Sequence, residues 1–466
     1  MESKADTSPQ SSATSIVKTS ADLYAAIERD GIEFIFAMFV DVHGKPCAKL
    51  VPVSAVDNLL ENGAGFAGFA AGAIGQVPSS PDLIAMPDLS SYTPAPWQRG
   101  LAILQCDPYC EGEPWPYAPR VILRNQLERL AEQNLVLNVG AEVEYFLVKR
   151  NSSGAIEVAD PLDTSVAPCY DARALTRMYG HLTSVSGYMN ALGWSNYAND
   201  HEDANGQFEQ NFRYADALRT ADRVITFRYM VHSVAAQAGM LATFMPKPFS
   251  HLTGNGLHMH LSLWSSEGDE LFMDTADPRN LGVSELGYSF IAGLLDHAQG
   301  LTAITCPTVN SYKRLASAPT ASGSAWSPFL ANYGGNDRTN MLRIPEPGRV
   351  ENRLVDGAAN PYLAIAAQIA AGMDGIERSL DPGSPRSSAA REQSAYETPP
   401  NAAAPLPTTL WHALDYLGSD ASLRSGLGKT PDGDFIDYFI SVKQAELREY
   451  HAAVSPWEIE NYLSAI

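Results

Sequence analysis

Apolar residues recur at helical spacing over residues 21–30 (ADLYAAIERD), and a nearly continuous apolar run, IEFIFAMFVDV, follows at once. That run stops at His43-Gly44-Lys45-Pro46, a turn signal, and CAKLVPV resumes as a second strand. These elements predict a small α+β unit over residues 21–115. The Pro-rich passage DPYCEGEPWPYAPR (107–120) breaks the pattern and places a boundary near residue 115. Beyond it, the periodicity predicts a helix over 121–133, a strand over 136–149, long helices within 171–193 and 215–240, and a strand over 256–264. A Pro-, Ser- and Ala-rich stretch (379–408) reads as a surface excursion, and the chain from Leu410 onward as helical. Strands and helices mixed without regular βαβ alternation predict an α+β fold, with residues 116–466 as the larger unit. Residues 1–20 are polar and predict a disordered tail.

Composition narrows the function. The 466 residues carry 32 Lys+Arg against 53 Asp+Glu, a formal charge of −21. Such an acid excess disfavours nucleic acid and anionic membranes as partners. The five cysteines are scattered with no CxxC pair, which predicts neither a disulfide framework nor a structural zinc site. No signal-peptide core or bilayer-length apolar segment is apparent, so a soluble, cytoplasmic protein is expected.

Several strand candidates carry polar residues where core is expected. Glu142 and Glu144 in NVGAEVEYFLV are two apart, so a strand points both to one face. His258, His260 and Ser262 in NGLHMHLSLW share a second face, and Arg349, Glu351 and Arg353 in GRVENRLVD a third. Glu202 and Glu209 flank Asn205-Gly206, and a hairpin there would bring their carboxylates together. Carboxylates with few imidazoles and no thiolate favour Mg²⁺ or Mn²⁺ over zinc. Between residues 310 and 353 the charge reverses: Lys313, Arg314, Arg338, Arg343, Arg349 and Arg353 face only Asp337, Glu346 and Glu351. Metals beside arginines equip a site for phosphoryl transfer. No Walker A motif is present, and GAGFAGFAAGAIG (63–75) is weak as a phosphate loop.

At these residues the chain resembles the glutamine synthetase family. KPFSHLTGNGLHMHLS (247–262) resembles that family's ATP-region signature, and AEVEYF, HEDANGQFE, NSYKRL, the Arg338–Arg343 pair, RVENR and AANPYL occur along the chain in the expected order. The resemblance implies an N-terminal β-grasp domain and a catalytic domain built on a curved antiparallel sheet. It implies two or three divalent cations, one held by Glu144, Glu202 and Glu209, another by Glu142, His258 and Glu351. ATP would lie along His260 and Ser262, stack on Tyr214, and meet Arg343, Arg349 and Arg353. Gly254, Arg314, Arg338 and Tyr170 would bind glutamate, with Arg338, Arg343 and Glu202 in catalytic roles. The implied assembly is a homo-oligomer, a dodecamer of two stacked hexamers with sites between neighbours. Tyr396 falls in the loop that the family can adenylylate, but its surroundings, REQSAYETPP, do not match.

The departures concern the incoming nitrogen. The family's GFDGSS loop reads GFAGFA here, with Ala67 for the aspartate and Phe69 and Ala70 for the serines. The family's flap glutamate falls on Thr320. Ammonium wants several acceptors, whereas an alkylamine has fewer N–H bonds and gains from apolar contact. The sequence therefore predicts ATP-dependent ligation of glutamate to a small alkylamine, methylamine and also ethylamine. Ammonia, polyamines or ethanolamine as the nitrogen donor, and a catalytically silent scaffold, are the competing readings.

Overall fold

The computed structural model describes residues 16–315, 326–386 and 403–465; Thr320, Tyr396 and the middle of the 379–408 stretch lie outside them. The first helix, α1 (Ser20–Asp30), opens with a reciprocal capping box between Thr19 and Asp22 and ends at Gly31 in the left-handed region. Val17, just before it, is buried in the N-terminal core. Residues 16–20, expected as tail, thus lead into this helix and form its cap and first residue. A helix cap is made of polar residues, so it looked like tail.

Helix α1 packs on a mixed sheet of β1 (Phe34–Val40), β2 (Pro46–Pro52), β3 (Ala64–Phe66), β4 (Leu83–Pro87) and β5 (Leu101–Cys110), in the order β2-β1-β5-β4-β3. The β1–β5 pair is parallel and the other pairs antiparallel. The continuous apolar run of β1 has a simple cause: its two faces belong to two cores. Ile35, Ala37 and Phe39 pack with α1, while Met38 and Val40 join the core of the larger unit.

That larger unit is built on β6 (Leu135–Arg150), β7 (Asn196–His201), β8 (Gln207–Phe212), β9 (Leu257–Ser265), β10 (Tyr333–Gly334), β11 (Leu342–Arg343) and β12 (Val350–Asn352). Their order is β7-β8-β6-β9-β12-β11-β10, antiparallel except for the edge pair β10–β11. The core-facing residues of β6 and β9, such as Val143, Tyr145, Met259 and Leu261, pack with helices α2 (Pro119–Glu132), α3 (Tyr179–Ala191), α4 (Ala217–Gln237) and α5 (Pro361–Glu377). The C-terminal region is helical, as expected, including α6 (Phe435–Ala452), and is interrupted by one small hairpin, Lys429–Thr430 with Gly433–Asp434.

Arg120 of α2 anchors the seam between the units. It is 2% exposed and donates to Asp88, Asp107 and Asp222 at 2.8, 2.8 and 2.9 Å. Among the described residues, no helix is long and apolar enough to cross a membrane.

Candidate active site

The register of the larger sheet sets its polar residues in one band. Glu209 lies opposite Glu144, His258 opposite Glu142, and Glu351 opposite both His260 and Arg343. Opposed residues share a face, so one turn of sheet pairing gathers groups from five strands. The hairpin between β7 and β8 closes at Asn205-Gly206 as expected. Gly206 has φ +75°, and a Cβ there would lie 2.5 Å from Val158.

The cleft over this band is lined by Glu142, Glu144, Asp200, Glu202 and Glu209. Arg314, Arg338, Arg343, Arg349 and Arg353 line it as well. His258 Nδ1 lies 3.3 Å from Glu142 and 3.7 Å from Glu351, while its Nε2 is 3.7 Å from Glu144. His260 Nε2 meets Glu142 at 2.8 Å. Glu351 is fully buried between Arg343 (2.5 Å) and Arg353 (2.6 Å), and Arg343 also donates to Asn336.

The electrostatics divide the acids. Burial alone would raise Glu142 and Glu351, but positive neighbours win: His260 and His258 hold Glu142 well below its ordinary value, and Arg353 with the histidines holds Glu351 at about 2. Glu202 and Glu209 lack such partners. Burial, then Glu144, Asp200 and Glu142, push Glu202 up to about 8; burial, then Glu142, Glu202 and Glu144, push Glu209 well above its usual range. Burial, then Arg353, lowers His258.

Not every expected residue meets in this cleft. Tyr170 lies in it with φ +61°. Gly254 also lies in it and must be glycine, because a Cβ would fall 2.2 Å from the Pro246 carbonyl. Arg314 spends its terminal nitrogens on the Leu354 and Arg353 carbonyls at 3.0 Å each. Tyr214 is 57% exposed and approaches His260 across Gly140, where only glycine separates them. Ser262 accepts from the Trp264 indole at 2.9 Å. Arg349 pairs with Glu346 at 2.9 Å. Ala67 and Phe69 belong to the N-terminal unit and do not line this cleft within one chain.

In this cleft, two groupings of described residues have ligand atoms close enough to hold one cation: Glu142, His260 and Glu351, and Glu142, Glu209 and His258. They cut across the two expected sets and place His260 among metal-competent residues. The donor set fits divalent cations: Nε2 of His258 and Nδ1 of His260 are buried without a hydrogen-bond partner, and crowded carboxylates carry unmatched charge.

Sequence reading missed the support behind these ligands. His201, with a fully buried side chain, contacts Asp163 Oδ2 through Nε2 (2.7 Å) and the Glu202 carbonyl through Nδ1 (2.8 Å). Asp163 also accepts from Gly206 N (2.6 Å) and Asn205 (3.1 Å), so it fixes the turn between Glu202 and Glu209. Gln207 ties Glu144 to the Gly254 carbonyl and Asn255, at 3.0 Å each. The adjacency of His201 to Glu202 was the available signal; Asp163, far away in sequence, gave none.

Paired acids, imidazoles and arginines around one cleft define a cation-dependent enzyme of phosphoryl transfer. The family model for the glutamine synthetase catalytic domain matches residues 116–462, and the chain belongs to the glutamine synthetase family of ATP-dependent ligases. It is 41% identical to a glutamate–methylamine ligase of Methyloversatilis universalis, over 94% of this chain and 97% of that protein. It is 40% identical to a glutamine synthetase of Rhizobium meliloti, over 95% and 99%. Among solved structures, a chain described as a GmaS–ADP complex superposes with a TM-score of 0.87 at 46% identity, covering 95% of this chain and 99% of that one.

Proposed function

We propose that this ligase joins L-glutamate to methylamine, and also to ethylamine, through γ-glutamyl phosphate, releasing ADP and phosphate. Overall identity does not choose between methylamine and ammonia, since relatives of both names match almost equally. The observation that carries the choice is Ala67, with Phe69, where the family places an aspartate and a serine. A methyl group buried against such a surface gains about 0.8 kcal/mol.

Glu142, Glu144, Glu202, Glu209, His258 and Glu351, with His260 beside them, would hold two to three Mg²⁺ or Mn²⁺ ions. Bound there, the cations neutralise phosphate charge and polarise the transferring group. The chain's own residues do the rest. Arg338 and the Gly254 backbone receive the glutamate, with Tyr170 at the rim and Arg314 bracing the Arg353 and Leu354 carbonyls behind them. Tyr214, His260 and Ser262 line the path of the nucleotide, and Arg349 and Arg353 meet its phosphates. Arg343, fixed by Glu351 and Asn336, faces charge that builds as the γ-phosphoryl group passes to the glutamate carboxylate. Asp200 and Glu202 draw the alkylammonium into the cleft, a carboxylate there takes one of its protons, and the neutral amine attacks the γ-glutamyl carbonyl and expels phosphate, its further proton leaving with the phosphate.

Two further assignments belong to this reading. Ala67 and Phe69 serve the cleft of a neighbouring subunit in a dodecamer of two stacked hexamers; the 46% exposure of Phe69 and its distance from its own chain's cleft support this. The two-unit division at about residue 115 and action in the cytoplasm follow the sequence reading, supported by two hydrophobic clusters and five unpaired cysteines.

An amine panel with ATP and glutamate, with products identified by mass, tests the function. Methylamine should give the higher specificity constant, and a much higher constant for ammonia would overturn the reading. Ala67→Asp should move the preference toward ammonia. Light scattering that found an active monomer would overturn the assembly.

A further inference from the structure

Away from the cleft, a cavity of about 400 Å³ opens at the seam between the two units. Ile225, Tyr229 and Phe244 make much of its wall apolar. Its other prominent members are His43, Arg228, His232 and Lys443, and no carboxylate lines it. The nearby acids stand behind the walls: Glu446 is 3.1 Å from Lys443, and Asp41 and Asp356 influence His43 and Arg228 from outside. Lys443 is 1% exposed and also donates to His43 Nδ1 at 3.1 Å. Arg228 donates one bond, to the Ala359 carbonyl at 3.0 Å, while its shielded Nε has no partner. Burial lowers both cations, Arg228 to about 10. An apolar chamber lined by Arg228, which no carboxylate among the described residues contacts, and by Lys443, whose one carboxylate partner lies outside the lining, is a receptacle for an organic anion.

The cavity also touches the scaffold of the glutamate site. Its wall includes Thr243, Met245 and Gly357. The Thr243 and Met245 carbonyls accept from Asn255 at 3.1 and 3.0 Å, and Gly357 N donates to the Asn255 carbonyl at 3.2 Å. Asn255 in turn accepts from Gln207, which holds Glu144 and the Gly254 carbonyl. One residue therefore separates the cavity wall from the group that orients both a candidate metal ligand and the glutamate-binding glycine.

We propose that this cavity is an effector site for a small carboxylate with an apolar stem, its oxygens on Arg228 and Lys443, whose occupancy alters the affinity for glutamate. The test uses the intact enzyme with acetate, butyrate and hexanoate as probes, and butanol and hexanol as uncharged controls. Calorimetry is run with saturating glutamate and no ATP, so that the substrate site is already filled. At least one carboxylate should bind and its matching alcohol should not. Arg228→Gln and Lys443→Gln should each weaken binding about tenfold or more, while Arg228→Lys retains most of it. The same carboxylate should shift the glutamate KM and leave kcat unchanged, and Arg228→Gln should abolish that shift. The proposal is overturned if no probe binds beside saturating glutamate, if binding is equal in folded Arg228→Gln and wild type, or if a bound carboxylate leaves the glutamate KM where it was.

Discussion

Arg120 and the cleft each gather buried carboxylates, and the two clusters solve the same electrostatic problem in opposite ways. At the seam, one guanidinium reaches three aspartates, Arg124 adds a 2.7 Å contact to Asp107, and Tyr362 donates to Asp222 at 2.7 Å. Burial would raise Asp88, but Arg120 holds it low; burial keeps Asp222 raised despite Arg120. In the cleft, Glu202 and Glu209 crowd other acids with no cation of the chain assigned to them. Burial alone does not separate a structural cluster from a functional one. What separates them is whether the chain supplies its own counter-charge.

The largest expected effect breaks the compensated cluster. Arg120→Ala removes the buried cation shared by three half-buried aspartates, leaving Asp88 and Asp107 only Arg124 as counter-charge and Asp222 only Tyr362, and should cost about 3 kcal/mol of stability, read by denaturant unfolding. A smaller loss would mean that water already shares the seam. Glu202→Gln should do the reverse in metal-free enzyme. At neutral pH Glu202 must take up a proton on folding and glutamine need not, so the melting temperature rises by the equivalent of about 1 kcal/mol, while activity falls by roughly 10²-fold or more. A melting temperature that fell instead would sink the claim of unmatched charge. His201→Asn tests the support behind that acid: affinity for Mn²⁺ should drop about 10- to 100-fold, with the ATP KM much less affected than the glutamate KM.

The smallest effect concerns a third arrangement, where His297 sits between Asp420 (2.7 Å) and Asp374 (3.0 Å). Burial would lower this imidazole, but hydrogen bonds to the two aspartates raise it to about 9. A folded value above the unfolded one of about 6.5 means stability present below that pH and lost as pH rises through about 9. After discounting for solvent screening, the loss should be about 1 kcal/mol, and His297→Asn should flatten it. A wild-type stability profile as flat as the variant's would remove the linkage.

The comparison also explains what could be read from the sequence. Glu142–Glu144 and His258–His260 were legible because an alternating strand pattern with ionisable groups on one face contradicts an ordinary core. The metal groupings were not: cross-strand register, set by pairing of β6 with β9 and β12, decides that His260 rather than only His258 meets Glu142. The Arg120 cluster was invisible because its three partners lie 13 to 102 positions away. The capping box at Thr19 is indistinguishable in sequence from a polar tail, because a helix start and a tail use the same residues.

Strand β6 pairs directly with β8 and β9 and with three shorter strands, and it carries Glu142 and Glu144 at its middle. An insertion of one residue there would turn every ligand beyond it to the opposite side of the sheet. The enzyme can thus tolerate change at the proposed amine determinants Ala67 and Phe69, at the start of a short N-terminal helix, far more readily than along this strand. Diversification of the nitrogen donor has an open route in this architecture, while the phosphoryl-transfer machinery is locked by register.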